Sequence, residues 1–382
     1  MTLQTLALIG VIALLGPLLA IPEKLHVPVV VGELVAGIVF GSTGFRLLHA
    51  GDKTFTYLAD VGFALVMFVA GSKVPIRDPH LRGALRPGLL RAVAVGAAAA
   101  VFGVTISHAF GIGHAPMYAV LMASSSAALV LPIVDSVRLS GPAVLQLLPQ
   151  VAIADAACIV ALPLAINPHQ AVRTGLGALA VLAAAAVLFI ALQYLEQRGY
   201  RQRLHKLSEE RKFALELRLS LIILTALAAL AVRTHVSIML AGFSFGLALA
   251  GIGEPRRLAR QLFALTDGFL GPLFFVWIGA GLDLRQLGDH PKFIALGMAL
   301  GFGAVVAHVL MRLTGQPVAM GALAAAQLGV PVAAVTVGGQ LNLLQAGEPA
   351  ALLLGALATI VVATVAAGMH ARSATPVTPQ AA

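Results

Sequence analysis

The chain has 382 residues, of which 59% are hydrophobic and only 11% are charged. Soluble domains carry about 25% charged residues, so 25 basic and 16 acidic side chains cannot cover a globule of this length. The high apolar content, the aperiodic glycines and the single cysteine exclude disordered, collagen-like and disulfide-rich classes. The apolar stretches run unbroken for about 20 residues and do not alternate as barrel strands do. The composition therefore indicates an all-α polytopic membrane protein.

Apolar runs bounded by charges, proline or glycine predict thirteen transmembrane helices. In chain order they cover residues 3–20, 28–43, 54–76, 89–111, 115–136, 145–166, 171–195, 214–232, 235–252, 262–283, 292–314, 318–342 and 350–370. No basic segment precedes the first run, so we expect a spanning helix there and no cleaved signal. Residues 1–370 are predicted to be one transmembrane domain, and residues 371–382 a short, disordered cytoplasmic tail.

The net charge of +9 predicts the orientation of these helices. We number the connections between the predicted helices from the N-terminus and count the segment after the last helix as the thirteenth. Nineteen of the 25 Lys and Arg residues fall in the odd-numbered connections. Since cytoplasmic loops carry the excess of positive charge, the N-terminus is predicted to be outside and the C-terminus inside. The same rule accounts for the basic surface, so we expect a lipid bilayer and no nucleic acid as its partner.

The fifth and twelfth predicted helices are interrupted in mid-span. The interruptions consist of polar or helix-weakening residues: Ser124, Ser125, Ser126 and Pro132 in the fifth, and Gln327, Gly329, Pro331 and Gly338-Gly339 in the twelfth. The two helices run in opposite directions across the membrane. This pattern is typical of two discontinuous helices that cross at a site between inverted repeats.

Asp155 is the most informative ionisable residue. It is the only charge in the apolar run 145–166 and lies roughly 15 Å from the inner end, at about 1.5 Å per residue. A carboxylate at that depth must pair with a neighbour, bind a cation or hold a proton. A structural carboxyl satisfied by a neighbouring helix is the alternative to a functional site.

Other polar residues are candidates to line the same site. They are His308 on helix 11, the serines Ser124, Ser125 and Ser126, Gln327, and Gln150 on the helix of Asp155. The imidazole of His308 is predicted to be a titratable partner of Asp155, with a satisfied core histidine as the alternative. Glu33 and Asp60 also lie within spans, where they would line a polar cavity or join helices. Asp267 and Asp283 lie near helix ends and are expected to be anchors or gate residues.

Other chemistries find no support in the sequence. There is no phosphate-binding loop of the Walker type and no HExxH zinc pair. The string Gly242-Phe-Ser244-Phe-Gly246 lies in an apolar helix, where close helix packing explains it better than a nucleophile elbow does. We therefore predict neither an enzyme nor a resident cofactor.

Four motifs occur in order along the chain. They are Pro28-Val-Val-Val-Gly-Glu-Leu-Val-Ala-Gly-Ile-Val-Phe-Gly-Ser-Thr-Gly44, Gly62 to Met67-Phe-Val-Ala-Gly71, Leu240-Ala-Gly-Phe-Ser-Phe-Gly246 and Leu270-Gly-Pro-Leu-Phe-Phe-Val-Trp-Ile-Gly-Ala-Gly-Leu-Asp-Leu284. They resemble signature segments of the bacterial monovalent cation:proton antiporter-2 family, in the sodium/hydrogen exchanger superfamily, the third more loosely than the others. The resemblance extends over residues 4 to 370. It implies inverted repeats, two discontinuous helices that cross in mid-membrane, a homodimer with an elevator-like core, and a place in the bacterial inner membrane.

The resemblance also assigns Asp155 as the ion-binding carboxylate, with three departures. Sodium-type members carry Asp-Asp and potassium-efflux members Gln-Asp where this chain has Ala154-Asp155. His308 matches a family lysine, and Gly329-Val330 stands where many members have Gly-Glu. The nucleotide-binding regulatory domain of the potassium-efflux members is expected to be absent, since the chain ends at residue 382.

These features together predict a secondary antiporter that exchanges protons for Na⁺ or K⁺. One carboxylate implies one-for-one exchange, and a histidine in place of lysine implies a pH dependence near about 6 to 7. A channel-like potassium-efflux transporter and a sodium-coupled solute symporter are the alternatives.

Overall fold

A computed structural model describes residues 1–21, 29–74, 81–167, 171–199, 213–234, 236–253 and 256–373. Several predicted features lie outside the described residues. They are Pro28 at the start of the first motif, most of the polar segment between the seventh and eighth predicted helices, and the predicted tail beyond Ser373. Within them the chain is helical, with no strand.

The structure has an apolar helix at each of the thirteen predicted positions. Within the described residues ten are long and apolar enough to cross a membrane, and three, Val29–Phe40, Ala115–Leu131 and Ile238–Ile252, are shorter. The first seven are α1 (Leu3–Ala13 and Leu15–Ala20), α2 (Val29–Phe40), α3 (Lys53–Ser72), α4 (Leu81–Phe110), α5a (Ala115–Ala123) with α5b (Ala127–Ser136), α6 (Pro142–Ile166) and α7 (Ala171–Gln197). Then follow α8 (Leu215–Arg233), α9 (Ile238–Ile252), α10 (Arg256–Leu265, Thr266–Leu270 and Gly271–Gly281), α11 (Pro291–Val309 and Leu310–Thr314), α12a (Val318–Ala324) with α12b (Gly329–Gln340), and α13 (Glu348–Ser373).

The helix ends differ from the prediction where helices extend beyond the apolar run. The helix α4 begins at Leu81 rather than at residue 89, because a helix can continue into charged residues outside the hydrocarbon, which hydropathy does not detect. The start of α3 is capped by the carboxylate of Asp52, which accepts from the amide of Thr54 at 2.9 Å. One interruption was not predicted: α10 contains a π-helical turn over Thr266–Leu270.

The helices form two bundles. In the first bundle, α2 packs against α10 and α3 packs against α9, with α1, α7 and α8 alongside. In the second bundle, α4 packs against α5a and α6, and α11 packs against α12a and α13. Each helix of one half corresponds to the helix seven positions later in the other half. This correspondence turns the pair α2–α10 into α9–α3, and the pair α4–α6 into α11–α13. The two halves of the chain are therefore structural repeats, and their opposite directions across the membrane make them inverted repeats.

Glycines allow the backbones of the first bundle to touch. A side chain at Gly279 on α10 would overlap the carbonyl oxygen of Leu34 on α2. The repeat-related pair is similar, because a side chain at Gly242 on α9 would overlap the carbonyl oxygen of Ala64 on α3. Small residues bring membrane helices into this close van der Waals contact. The Gly-x-Ser-x-Gly string thus packs helices, as expected.

Gly279→Ala is expected to destabilise the protein, because the added methyl group has no space between α2 and α10. Overpacking costs about 1–3 kcal/mol, so the thermal unfolding midpoint in detergent should fall by several degrees. The matched control is Gly96→Ala on α4, where no atom beyond the adjoining backbone of α4 itself lies within 4 Å of the added carbon. Equal midpoints for the two variants would contradict the close contact.

Candidate functional site

The two interrupted helices cross at their breaks. Residues 124–126 separate α5a from α5b, and residues 325–328 separate α12a from α12b. The Ser126 amide donates to the carbonyl oxygen of Ala326 at 2.8 Å, and the Ser125 hydroxyl donates to the carbonyl oxygen of Ala324 at 2.5 Å. Each break therefore supplies hydrogen-bond partners for the other, as a non-helical backbone inside a membrane requires. Pro331 and Gly338-Gly339 lie within α12b and do not interrupt it.

Asp155 lies at the first turn of α5b. Its Oδ2 accepts from the amide of Ala127 at 3.0 Å, and the residue is only 6% exposed. The first amides of a helix have no partner within the helix and carry a partial positive charge, which stabilises an anion. The α6 helix thus presents a buried carboxylate to the positive end of half of a broken helix.

Thr359 occupies the repeat-related position on α13. It accepts from the amide of Gln327, in the second break, at 3.3 Å, as Asp155 accepts from Ala127. Its own hydroxyl donates to the carbonyl oxygen of Ala356 at 2.7 Å. The two halves therefore use the same contact with different chemistry, an acid in one and an alcohol in the other.

His308 is in contact with Ser125 rather than with Asp155. Its Nε2 lies 3.3 Å from the Ser125 hydroxyl, and its Nδ1 lies 2.9 Å from the carbonyl oxygen of Ala304. A carbonyl only accepts, so Nδ1 carries a hydrogen. The imidazole is 1% exposed and reaches the crossing through the serine.

The remaining polar side chains of the crossing have neutral hydrogen-bond partners. The Ser124 hydroxyl has the Leu121 carbonyl oxygen and Gln327 Oε1 in reach, each at 2.8 Å. A hydroxyl has one hydrogen, so it donates to one of these two atoms at a time. All three serines and Gln327 are buried. The structure therefore brings together Ser124, Ser125, Ser126, Gln327, Asp155 and His308.

Gln150 and Asp60 lie elsewhere. Gln150 accepts from Nε2 of Gln316 at 2.8 Å, in a buried amide pair between α6 and the start of α12a. Asp60 is half-buried on α3 and is not among the residues that line the cavity between the two bundles. Sequence analysis included Gln150 because it is on the helix of Asp155, and Asp60 because it lies within a predicted span.

A cavity of about 590 Å³ lies between the two bundles. Its walls come from α1, α2, α3 and α10 of the first bundle, and from α5b and α12 of the second. Ser126 and Gly329 line the end at the crossing, while Glu33, Lys73 and Asp267 are its ionisable residues in the described part of the chain. Asp155 is not in the wall, but its partner Ala127 lies between two lining residues, Ser126 and Ala128.

A second buried carboxylate joins the starts of α5a and α13. Glu348 is fully buried and accepts from Nδ1 of His114 and from the hydroxyl of Tyr118, each at 2.7 Å. Its other oxygen accepts from the amide of Gln345 at 2.9 Å. The hydrogen bond to Glu348 raises the pKa of His114 above its ordinary value. Sequence analysis missed this cluster, because a charge at a helix end looks like an anchor.

The fold defines the class of protein: a multi-span membrane protein with two crossing discontinuous helices. It is similar to the sodium proton antiporter MjNhaP1 from Methanocaldococcus jannaschii, with a TM-score of 0.68, 15% identity, and coverage of 96% of this chain and 99% of that chain. Residues 10–372 match the family model for the sodium/hydrogen exchanger, transmembrane. The chain belongs to the sodium/hydrogen exchanger family, and the resemblance found in the sequence is confirmed.

Similar curated proteins carry two kinds of name. The putative Na(+)/H(+) antiporter YjbQ of Bacillus subtilis is 25% identical over 93% of this chain, and the probable Na(+)/H(+) antiporter 3 of Methanocaldococcus jannaschii is 23% identical over 84%. The glutathione-regulated potassium-efflux system protein KefC of Klebsiella pneumoniae (strain 342) is 26% identical over 79%. The chain spans 61% of YjbQ, 85% of the Methanocaldococcus antiporter and 48% of KefC. Named relatives and the structural neighbour are transporters, not enzymes.

The His114–Glu348 pair is expected to stabilise the fold in a pH-dependent way. Because the pKa of His114 is raised, the stabilisation is complete below the ordinary histidine value of 6.5 and is lost as the pH rises through the raised value. His114→Gln should therefore lower the thermal unfolding midpoint most at pH 6 or below, by the equivalent of about 1 kcal/mol for a partly exposed pair.

The control is His290→Gln, since His290 precedes α11 as His114 precedes α5a and contacts no carboxylate within the described ranges. A His114→Gln effect that is constant from pH 5.5 to 8.5 would contradict the ion pair.

Proposed function

We propose that the protein is a secondary active antiporter that exchanges protons for a monovalent cation, Na⁺ or K⁺, with Asp155 as the shared binding group. The observation that carries this proposal is the Asp155 carboxylate, 6% exposed and held at the start of α5b within the crossing. Membership of the sodium/hydrogen exchanger family and the antiporter names of its relatives support it.

The exchange follows from the cost of burying a charge. A carboxylate inside a membrane protein is stabilised by a proton or by a cation, and an empty anionic site is unfavourable. If one group takes either ligand, then arrival of the cation releases the proton, and the empty carrier is disfavoured. Alternating access to Asp155 would come from movement of the second bundle against the first, across the cavity between them.

His308 completes the site as a titratable neighbour of the crossing. If Nε2 is protonated, it donates to Ser125 Oγ, whose hydroxyl still donates to the carbonyl oxygen of Ala324. If Nε2 is neutral, it competes with that carbonyl for the single hydroxyl hydrogen. The protonation state of His308 would thereby act on the joint between α5 and α12.

Several further properties are part of this proposal. With one carboxylate, exchange is one for one and electroneutral; a membrane voltage that drives exchange in liposomes would contradict this. The protein lies in a bacterial inner membrane as a homodimer, with the N-terminus outside and the C-terminus inside, as the basic loops predict. A cysteine-accessibility map of the loops and the mass of the purified complex test both.

A channel-like potassium-efflux transporter is the second candidate, because KefC is among the relatives. The two differ in coupling, since an antiporter needs the counter-ion and a channel does not. K⁺ efflux from liposomes that is independent of a proton flux would favour the channel. Cation-dependent uptake of an organic solute would favour a symporter instead.

Asp155→Asn is expected to abolish exchange and leave a folded protein, because the amide takes neither a proton nor a cation. The measurement is proton efflux from liposomes on addition of Na⁺, K⁺ or Li⁺, with a loss of at least about a hundredfold, as for removal of an essential charged group. Asp283→Asn, outside the crossing, is the matched control. Full activity of Asp155→Asn would refute the site.

His308→Lys is expected to retain exchange and to move its pH profile upward. The ammonium can still donate to Ser125, but lysine ordinarily titrates near pH 10.4 and histidine near 6.5. The pH dependence of exchange rate in liposomes between pH 5.5 and 9 measures the change. An unchanged profile would mean that His308 does not contribute to the pH response.

A further inference from the structure

The cavity contains a second set of oxygen ligands, separate from Asp155. Glu33 on α2, together with Thr266 and Asp267 in the π-helical turn of α10, lines it. Lys73, at the end of α3, lines the same cavity. These residues belong to the first bundle, whereas Asp155 belongs to the second.

Glu33 is a buried acid with no partner among the residues that the structure describes. It is 4% exposed, and no hydrogen bond or ion pair reaches it from the part of the chain that the structure describes. It packs against Gly16 of α1, where a side chain would overlap its Cγ. A buried carboxylate with no donor needs a ligand from outside the protein, either a proton or a cation.

The hydroxyl of Thr266 is also unused. It is 1% exposed, and its Oγ1 has no hydrogen-bond partner among the described residues. Several threonines in the other helices donate to a carbonyl one turn earlier, as Thr225 does to Leu221 at 2.8 Å and Thr336 does to Val332 at 2.9 Å. The π-turn, a feature often found at functional sites, begins at Thr266, a residue that lines the cavity and whose buried hydroxyl has no partner among the described residues.

The charges favour a cation over an anion. Glu33 and Asp267 are the acidic residues of the cavity wall in the described part of the chain, and Lys73 is its basic residue. One positive and two negative groups leave an excess of one acid in a cavity with mostly apolar walls. Carboxylate and hydroxyl oxygens are ligands for hard cations, so a small cation would satisfy both the unpaired acid and the unused hydroxyl.

We propose that Glu33, Thr266 and Asp267 form a loading site for a monovalent cation, which holds the ion in the cavity before it reaches Asp155. The onward step to Asp155 rests on the proposed function. Binding at the loading site does not, because its ligands are in the other bundle.

Cation binding is measured first in a protein that cannot transport. Radiolabelled Na⁺, and separately Rb⁺ in place of K⁺, is added to purified Asp155→Asn in a scintillation proximity assay. Saturable binding of at least one of the two cations is expected in Asp155→Asn and in the control Asp155→Asn/Glu196→Gln. It should be lost in Asp155→Asn/Glu33→Gln and weakened in Asp155→Asn/Thr266→Val. Asp155→Asn/Thr225→Val is the control for the threonine substitution.

Transport then tests the order of the two sites. Glu33→Gln should raise the apparent KM for the cation by about threefold or more at unchanged maximal rate, and Lys73→Gln should lower it, as expected for local charge. Transport is compared in everted and in right-side-out vesicles, which offer the cation from opposite sides of the membrane. Both effects on KM should appear only when the cation is offered from the membrane side on which Lys73 lies. Opposite signs in the two variants would not arise from a general loss of structure.

Failures of the two proposals are distinguishable. Absence of Na⁺ and Rb⁺ binding in folded Asp155→Asn, or equal binding with and without Glu33, overturns the loading site even if the wild type exchanges cations. An unchanged KM in Glu33→Gln overturns its place on the path. Absence of exchange in the wild type overturns the antiporter, and the binding assay still decides the loading site.

Discussion

The hydrogen bonds between the two helix breaks are the constraint on which the site depends. Inside a membrane, an interrupted helix leaves amides and carbonyls with no water to bind. Ser126 and Ala326, with Ser125 and Ala324, satisfy these groups across the crossing, so that each break requires the other. The positions of the functional groups follow from this joint. The first turn of α5b provides the amide that holds Asp155, and the serine at the break provides the contact of His308.

The two repeats share a backbone arrangement but differ in chemistry at one position. Asp155 and Thr359 make the same contact with a break, and only Asp155 can hold a charge or bind a proton and a cation in turn. A second carboxylate at Thr359 would place two like charges near one crossing, where the low dielectric makes repulsion strong. The alcohol instead donates to Ala356 and is satisfied without an ion. Structural symmetry thus builds the crossing, and one difference between the halves places an acid at one contact and an alcohol at the other.

Much of this arrangement can be predicted from polar residues that lie within apolar runs of the sequence. Serines in an apolar run indicate the break, and a lone aspartate at the same depth indicates its neighbour. Depth, however, does not give the direction of a side chain around its helix. Gln150 is five residues from Asp155, which turns it by about 140° and toward Gln316 instead. The same limit misdirected the expectation for His308, whose ring faces Ser125. The π-turn at Thr266 depends on packing between α10 and its neighbours, and no local residue pattern indicates it.

Because charged residues are scarce, each ionisable group in the cavity has a large influence on a nearby cation. In an apolar cavity, field lines from a few charges are weakly screened, so Glu33 and Lys73 affect a cation well before contact. In the proposed mechanism Asp155 has a narrower task, because it would have to release its cation to a proton and its proton to a cation. Tighter cation binding there would slow release and bias the competition. A separate acid in the cavity raises the local cation concentration without changing the competition at Asp155. Under the two proposals, attraction and exchange would be carried by different carboxylates in different bundles, so that one aspartate at the crossing would be enough.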